Sequence, residues 1–309
     1  MRSAVYEFLF PGEVYIVDPA PWPPLLMKFG ASSIALHKPI GDFQAHQPLG
    51  ALNVGPAEAH STVLRLECAA EAQPEIHELY PLAHGATIWL RVLTRQYWVG
   101  FGGSGNVYAR GGRLTTDPST GERQSTGWGT AGAPVILKPL SIETWAKVGG
   151  ALAFGQAPRA SDLIFCSGML ALSGGSLQES VALMGIACEI ELNSCIESLL
   201  SSHGDKVARK LYDSRRLAFQ WKLEHLAPLI SGRNFSTEEP HWHAHVLRLY
   251  ERRGTAAHRE SARSELSEAP FFTLATDAFL RWTHSVRTSR GELLGPCPLA
   301  VSAALAPQG

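Results

Sequence analysis

Residues 177–199 read LQESVALMGIACEIELNSCIESL, and this stretch carries the clearest structural signal in the chain of 309 residues. Apolar residues recur in it at steps of three and four, which is the spacing of one face of an α-helix. That face comprises Leu177, Val181, Met184, Cys188, Leu192, Cys195 and Leu199, and it is widened by Leu183, Ile186 and Ile190. So wide a stripe predicts a helix at the centre of a helical bundle.

The chain after this stretch predicts three more helices. One is capped by Asp205 and ends near Leu226, before Pro228. The next begins near Thr237 and stops around Gly254. The last carries an apolar stripe made of Phe271, Ala275, Phe279, Trp282 and Val286.

Residues 1–110 predict β structure instead. Short segments rich in β-branched or aromatic residues, bounded by Gly, Pro, Asn or His, are typical of strands. These segments are 33–36, 61–66, 87–93 and 97–101. Prolines are dense before residue 60, which disfavours helices there. We therefore expect an irregular antiparallel sheet or a small barrel over 1–110.

The predicted fold is α+β, in two domains. A β-rich N-terminal domain covers 1–150, and within it the Gly, Ser and Thr of 111–134 predict a flexible, exposed loop or a hairpin. An all-α bundle covers 155–290. A connector over about 140–172 leads into the bundle, packed by Trp145, Leu152 and Phe154. Residues 291–309, rich in Ala, Pro and Gly, predict a disordered tail.

The composition is that of a globular protein, with 45% hydrophobic and 18% charged residues. Its formal net charge of −1 shows no global basic field for nucleic acid. The five cysteines form no CxxC pair, which predicts reduced thiols and a cytoplasmic protein. The N-terminus lacks the apolar region of a signal peptide, and no stretch predicts a membrane span.

Late in the helical half the chain reads Arg253-Gly254-Thr255-Ala256-Ala257-His258. The arginine can bind a phosphate, and the imidazole can transfer a proton. On an unbroken helix the two side chains would lie about 140° apart, so we expect Gly254 to break the helix and let them face one cleft. One alternative stays open, in which Arg253 makes a surface ion pair with a nearby acid and His258 caps the next helix.

The order of these elements resembles the HEPN superfamily of small helical bundles over about residues 160–287. The resemblance consists of a helix with ACEIEL at 187–192, of Arg253 with His258, and of a closing helix with Arg281 and Trp282. The superfamily includes metal-independent RNases of defence and toxin systems, and also inactive scaffolds. Active members usually carry Asn, Asp or His directly after the Arg, whereas this chain has Gly254.

The resemblance implies a metal-independent endoribonuclease that needs no cofactor, with Arg253 and His258 as catalytic residues. His258 would exchange protons with the ribose 2′-hydroxyl or the leaving oxygen, and Arg253 would stabilise charge at phosphorus. Glu189, Arg252 and Thr255 are expected to support them. Glu189 either pairs with Arg253, orients His258 or is simply solvated. The arginines expected to contact RNA are Arg248, Arg259 and Arg263.

The partners that the resemblance implies are RNA and a second copy of the chain, because two such sites usually meet across a dimer of the bundle. DNA and membranes are not expected as partners. The alternative function is a non-catalytic HEPN-like module, in which the bundle dimerises and the β domain binds a partner or ligand.

Two other motifs resemble known functional sites. His241 and His245 stand at i,i+4 spacing, which can hold zinc. The sequence offers no Glu at the metalloprotease position and no obvious third ligand, so an exposed polar face is the simpler interpretation. The glycines of 100–108 match the Gly-rich loop of protein kinases, but the chain has no HRD and no DFG. No helical pattern follows them, as a dinucleotide site would require.

Overall fold

A computed structural model describes residues 3–16, 22–29, 32–39, 59–69, 74–99, 113–116, 123–126, 140–203, 209–210, 212, 217–256 and 268–288. The fold is broadly α+β, as predicted. The described residues divide into two compact units, one up to Pro158 and one from Arg159 onward. Within these ranges, no helix combines the length and hydropathy that crossing a bilayer requires.

The first unit contains a four-stranded antiparallel sheet. In the order β1-β4-β3-β2, its strands are β1 (Ser3–Ile16), β4 (Ala59–Ala69), β3 (Ser32–Leu36) and β2 (Leu25–Phe29). Burial alternates residue by residue along β2, which is the pattern of a strand with one covered face. The predicted strands 33–36 and 61–66 are therefore confirmed.

Two helices pack against the covered face of this sheet, α1 (Ile76–Thr94) and α2 (Ile142–Ala153). Sheet and helices share one core, whose fully buried members include Ile34, Leu64 and Trp145. Between the helices in sequence lies a hairpin of β5 (Arg113–Thr116) and β6 (Arg123–Thr126). This pairing matches the hairpin predicted within 111–134.

The two other predicted strands are wrong. Residues 87–93 lie inside α1, and 97–99 form a turn, while 100–101 lie outside the described residues. Their β-branched and aromatic residues favour a strand by propensity, but propensity gives way to packing. The residues that α1 buries recur at helical spacing: Leu79, Ala83, Ala86 and Leu90.

The predicted connector consists of two helices that belong to different units. α2 is part of the first unit, and α3 (Ala160–Ser173) is part of the second. Trp145 is buried and Leu152 lies against the core, as expected. Phe154 is exposed, contrary to expectation. It is the C-cap of α2 with non-helical backbone, so the helical period no longer sets its direction.

The second unit is a bundle of helices around α4 (Leu177–His203). This helix packs against α3 and against two later helices, α7 (Pro240–Ala256) and α8 (Ala269–Thr288). Most of its predicted stripe is buried, from Val181 through Leu199, whereas Leu177 is only half-buried. The prediction of a central helix is confirmed.

The helix before Pro228 differs from its prediction. It is α5, a continuous helix over 219–231 in which Lys222–Leu226 form a π-turn. The predicted end near Leu226 is wrong, because the helix continues through Pro228 to Ser231. Proline lacks an N–H and its ring crowds the preceding turn of a regular helix. Here that turn is widened, and Ala227 donates to the carbonyl of Lys222, five residues back. The predicted cap Asp205 and the tail 291–309 lie outside the described residues.

The predicted break at Gly254 is also wrong. After the short helix α6 (Phe235–Glu238), α7 begins at Pro240 and runs through Gly254 to Ala256. Gly254 has no positive φ. A glycine inside a helix costs only about 0.5–1 kcal/mol, which the packing of α7 on α4 and α8 outweighs.

The stripe predicted for α8 is wrong at its first residue. Phe271 is exposed and its neighbour Phe272 is buried, while the rest of the stripe, from Ala275 to Val286, is buried as predicted. Both phenylalanines fit the helical period, because they stand three and four residues before Ala275. The way in which the first turn of α8 docks decides between them.

Candidate active site

Arg253 lies near the end of α7 and is held by three contacts. A Cβ on Gly185 would lie 2.9 Å from both Cβ and Cδ of Arg253, so the arginine stem crosses α4 where α4 has no side chain. The guanidinium donates a hydrogen bond to the carboxylate of Glu189. It also lies 5.0 Å from the centroid of the Tyr250 ring, within the range of a cation–π contact.

Simple helical spacing explains how these groups come together. Gly185 and Glu189 stand four residues apart on α4. The glycine that the Arg253 stem crosses and the carboxylate that pairs with Arg253 therefore lie on one face of that helix. Tyr250 and Arg253 stand three apart on α7 and share another. The Tyr250 ring is itself stacked on Phe219 of α5, with 4.5 Å between centroids, so the surface beneath Arg253 is fixed.

The ion pair of Arg253 and Glu189 lies at the edge of the bundle. The Arg253 side chain is 26% exposed and that of Glu189 is 34% exposed. A guanidinium has five N–H donors, and the Glu189 contact uses one of them. The site can therefore present a fixed, partly exposed cation to a phosphate, although Glu189 neutralises part of its charge.

Arg248, which is expected to contact RNA, and Arg252, which is expected to support the site, are also paired. Arg248 forms an ion pair with Glu268, and Nε of Arg252 lies 3.8 Å from the same carboxylate. Glu268 immediately precedes α8, so these pairs join α7 to the start of α8. Two arginines against one glutamate leave a charge of 2 − 1 = +1 among these three groups.

Part of the predicted site lies outside the described residues. This is true of His258, Arg259 and Arg263, and of the side chain of Thr255. The structure thus brings Arg253 and Glu189 together, as one of the three interpretations of Glu189 expected. The meeting of Arg253 with His258 stays a prediction.

The motif of the closing helix contributes packing and an ion pair between an exposed arginine and a buried carboxylate. Trp282 is buried, and its ring centroid lies 5.2 Å from that of Phe235. Arg281 is 60% exposed and pairs with Asp277, one turn earlier, at 3.0 Å. Neither side chain is seen in contact with Arg253.

The histidines at the start of α7 form an aromatic surface. The rings of His241 and His245 have centroids 5.5 Å apart, and His245 stacks on Phe271. Burial lowers the pKa of His245, and the charges of His241 and Arg248 lower it further. Within the described ranges, no three His, Cys, Asp or Glu side chains are grouped as a metal site would need.

A second charged cluster lies where α3, α4 and α8 meet, and the sequence analysis missed it. Glu191 is buried on α4 and accepts hydrogen bonds from Arg159 at 2.7 Å, from Ser161 at 2.5 Å and from Arg287 at 3.2 Å. Arg159 also bonds Asp162 at 2.7 Å. We call these five residues the Glu191 cluster.

Charges within the Glu191 cluster balance, two arginines against two carboxylates. His284 lies beside it; burial lowers the pKa of this histidine, and Arg159 lowers it further. One signal in the sequence pointed to the cluster. Glu191 stands three residues after Cys188 and four before Cys195, so it falls on the buried stripe, where a carboxylate requires cationic partners.

Two cysteines on that same stripe are buried free thiols. Cys188 and Cys195 are buried against α8, next to Thr276 and Thr283. Burial raises the pKa of Cys188 to about 12, so its reactive thiolate form is suppressed at neutral pH. The four described cysteines are free thiols, which confirms that prediction for them, and Cys297 lies outside the described residues.

In comparisons with known proteins, no protein-family model matches the chain, and neither does any curated protein or solved structure. The HEPN resemblance therefore stays a prediction made from residues 160–287. The geometry of Arg253 and Glu189 is independent of that resemblance, since it follows from how α7 crosses α4.

Proposed function

We propose that the second unit is a HEPN-like bundle that cleaves RNA without a metal ion, with Arg253 binding the phosphate. The observation that carries the proposal is the way Arg253 is held. Its stem crosses α4 at Gly185, and its guanidinium is fixed by Tyr250 and Glu189 while about a quarter of the side chain stays exposed. A cation fixed in advance stabilises charge at phosphorus without reorganising during the reaction.

The proposed reaction uses His258 for proton transfer. The imidazole accepts the ribose 2′-hydroxyl proton, the 2′-oxygen attacks phosphorus, and the bond to the 5′-oxygen breaks. The leaving 5′-oxygen takes up a proton, which leaves a 2′,3′-cyclic phosphate and a 5′-hydroxyl. RNA is the substrate rather than DNA, because the attacking group is the 2′-hydroxyl. Since α7 continues to Ala256, the chain must turn after that residue for His258 to reach Arg253.

The full chain incubated with RNA in EDTA tests the proposal. Cleavage should continue in the chelator and leave cyclic phosphate ends. His258→Ala should lower the rate by about 10²–10⁴, the usual contribution of general acid–base catalysis. Arg253→Ala should lower it as well, and Arg253→Lys should restore only part, because lysine lacks the planar fork. Arg281→Ala is the matched control, since Arg281 is an exposed arginine outside the site.

Two outcomes contradict the proposal. One is activity that disappears in EDTA, and the other is undiminished cleavage by the His258→Ala variant. Glu189 acts as a positioning residue in this scheme, and Glu189→Gln separates that role from a structural one. Loss of its charge should lower KM for RNA, because Arg253 is no longer neutralised, and should lower kcat, because the guanidinium is less well fixed. A purely structural role would change Tm and leave both kinetic constants alone.

A second candidate function is a non-catalytic HEPN-like module that dimerises through the bundle while the first unit binds a partner or ligand. Two observations favour it. α7 is unbroken at Gly254, and Arg248 and Arg252 each have a carboxylate partner. In that case RNA stays intact, light scattering gives a dimer, and Arg253→Ala lowers only stability. For the RNase, a monomer in light scattering would contradict a site shared across a dimer.

We further propose that the two units are independent domains, with bounds near 1–150 and 155–290, in a cytoplasmic protein. The support is that each unit has its own buried residues. Limited proteolysis should cut within 111–134 or after 290. Preferential cutting within 176–200 would contradict the domain assignment, because that stretch is the central helix of the bundle.

A further inference from the structure

Four side chains follow one another along one side of α7. They recur at steps of four, three and four residues, which keeps them in line on a helix. We call them the His–Arg stripe: His241, His245, Arg248 and Arg252. The start of α8 lies against this stripe, where Phe271 contacts His245 and Glu268 pairs with Arg248.

The first half of the stripe is an aromatic surface. The rings of His245 and Phe271 are stacked, with centroids 5.1 Å apart and an angle of 7° between planes. His241 lies 5.5 Å from His245, and Trp242 lies 4.4 Å from His241. His241 and Phe271 are both exposed. Flat rings thus reach solvent from two helices at one place.

Exposure of Phe271 is unusual for this unit. Within its described residues, the large apolar side chains that are exposed are Phe271, at 45%, and Leu229, at 64%. Leu229 lies on α5 and has no aromatic neighbour in the described contacts, whereas Phe271 belongs to a group of four rings. The group therefore offers a ligand several π-faces instead of a single apolar side chain.

The second half of the stripe is cationic. Arg248 is 54% exposed, and Arg248, Arg252 and Glu268 together carry a net charge of +1. From His245 to Arg253 is eight residues, or about 12 Å along the helix axis. At about 3.4 Å per stacked nucleotide, that distance corresponds to between three and four nucleotides.

We propose that the His–Arg stripe binds single-stranded RNA. This inference rests on the proposed function, since it names the form of RNA that the same helix takes. Unpaired bases stack on aromatic and imidazole rings, whereas bases in a duplex are already stacked on one another. The rings of His245, Phe271 and Trp242 hold bases, and Arg248 and Arg252 follow the phosphates. The net charge of Arg248, Arg252 and Glu268 suits a polyanion, and the exposed rings offer faces on which unpaired bases can stack.

Binding of a non-cleavable RNA tests the inference separately from catalysis. The probe is a fluorescein-labelled 2′-O-methyl oligouridine of about twelve nucleotides, which lacks the attacking hydroxyl, and the readout is fluorescence anisotropy with the wild-type chain. Phe271→Ala should raise Kd on the order of tenfold, the effect of losing one base stack. Leu229→Ala, the matched exposed apolar residue of the same unit, should leave Kd unchanged.

Three further measurements sharpen the test. His245→Ala should weaken binding as Phe271→Ala does, and circular dichroism shows whether each variant stays folded. A 2′-O-methyl duplex of the same length should bind more weakly than the single strand. Arg248→Gln should reduce the slope of log K against log salt by about 0.7, the value for one phosphate contact on a single strand.

The results distinguish this inference from the proposed function. Two results contradict binding of single-stranded RNA by the stripe, even if RNA is cleaved in EDTA. One is an unchanged Kd in the folded Phe271→Ala variant, and the other is equal binding of duplex and single strand. Stacking-dependent binding without any cleavage supports RNA binding by the stripe and contradicts the proposed RNase activity. RNA binding by the stripe is also contradicted if the wild-type chain does not bind the oligouridine, or if a protein binds at the rings in place of RNA.

Discussion

Replacement of Glu191 by glutamine tests how the bundle holds its buried charges. The side chain of Glu191 is 1% exposed and accepts hydrogen bonds from Arg159, Ser161 and Arg287. Glutamine keeps the shape of the side chain but removes its charge and turns one acceptor into a donor. Two guanidiniums would then point at a neutral group that can accept at only one atom.

The magnitude follows from the burial of the partners. Breaking a buried ion pair by removing one partner costs about 3–5 kcal/mol. The side chains of Arg159 and Arg287 are 24% and 20% exposed, so water recovers part of the loss, and Arg159 keeps Asp162. We therefore expect the lower end, about 3 kcal/mol. At about 2–4 °C per kcal/mol, Tm of the bundle should fall by about 6–12 °C.

Urea unfolding followed by circular dichroism measures the change, with Glu189→Gln as the matched control. Glu189 stands two residues earlier on the same helix, is 34% exposed and pairs with Arg253. Its loss should cost about 0–1 kcal/mol, as for exposed ion pairs in general. Equal destabilisation by the two variants, or a loss under about 1 kcal/mol for Glu191→Gln, would refute the reasoning that burial sets the difference.

Three other predictions concern α4, α7 and α8. Gly185→Ala should destabilise the bundle by about 1–3 kcal/mol and disturb Arg253, because the new Cβ would lie 2.9 Å from the arginine stem; a melting temperature equal to wild type would contradict this. Gly254→Ala should stabilise it by about 0.5–1 kcal/mol, since the residue is helical and no atom lies within 4 Å of the new Cβ; destabilisation in urea would show that α7 is not helical there. The folded-state pKa of His284 is lowered, by burial first and then by Arg159, so folding favours its neutral form. Its contribution to stability is present above about pH 6.5 and is lost as pH falls below that value, so His284→Gln should flatten the dependence of Tm on pH there, and an unchanged slope would exclude this role.

The α4 helix shows what a single sequence predicts well. Its apolar residues are close neighbours in the chain, and their spacing indicates both the helix and its buried side. The pairing of Glu189 with Arg253 was within reach for a similar reason, because an acid in an apolar stretch suggests a cationic partner. The hairpin in 111–134 also follows from local composition.

The errors share one physical cause. Residues 87–93 look like a strand by propensity, and Gly254 looks like a helix break, but both are weak local preferences of about 1 kcal/mol or less. Packing of α1 on the sheet and of α7 on α4 outweighs them. Likewise, the period of α8 admits Phe271 or Phe272 on its buried side, and only docking of the helix selects Phe272.

Contacts between residues that are distant in the sequence are decided by the tertiary structure alone. Glu191 lies 32 residues from Arg159 and 96 from Arg287, and no spacing rule connects such positions. The missing side chain at Gly185 matters only because the packing of α7 on α4 places the stem of Arg253 there. Periodicity is a property of neighbours in the chain, so the sequence reveals which residues a helix buries. The choice of what they are buried against depends on how distant helices pack, and that choice places both the Arg253–Glu189 pair and the Glu191 cluster.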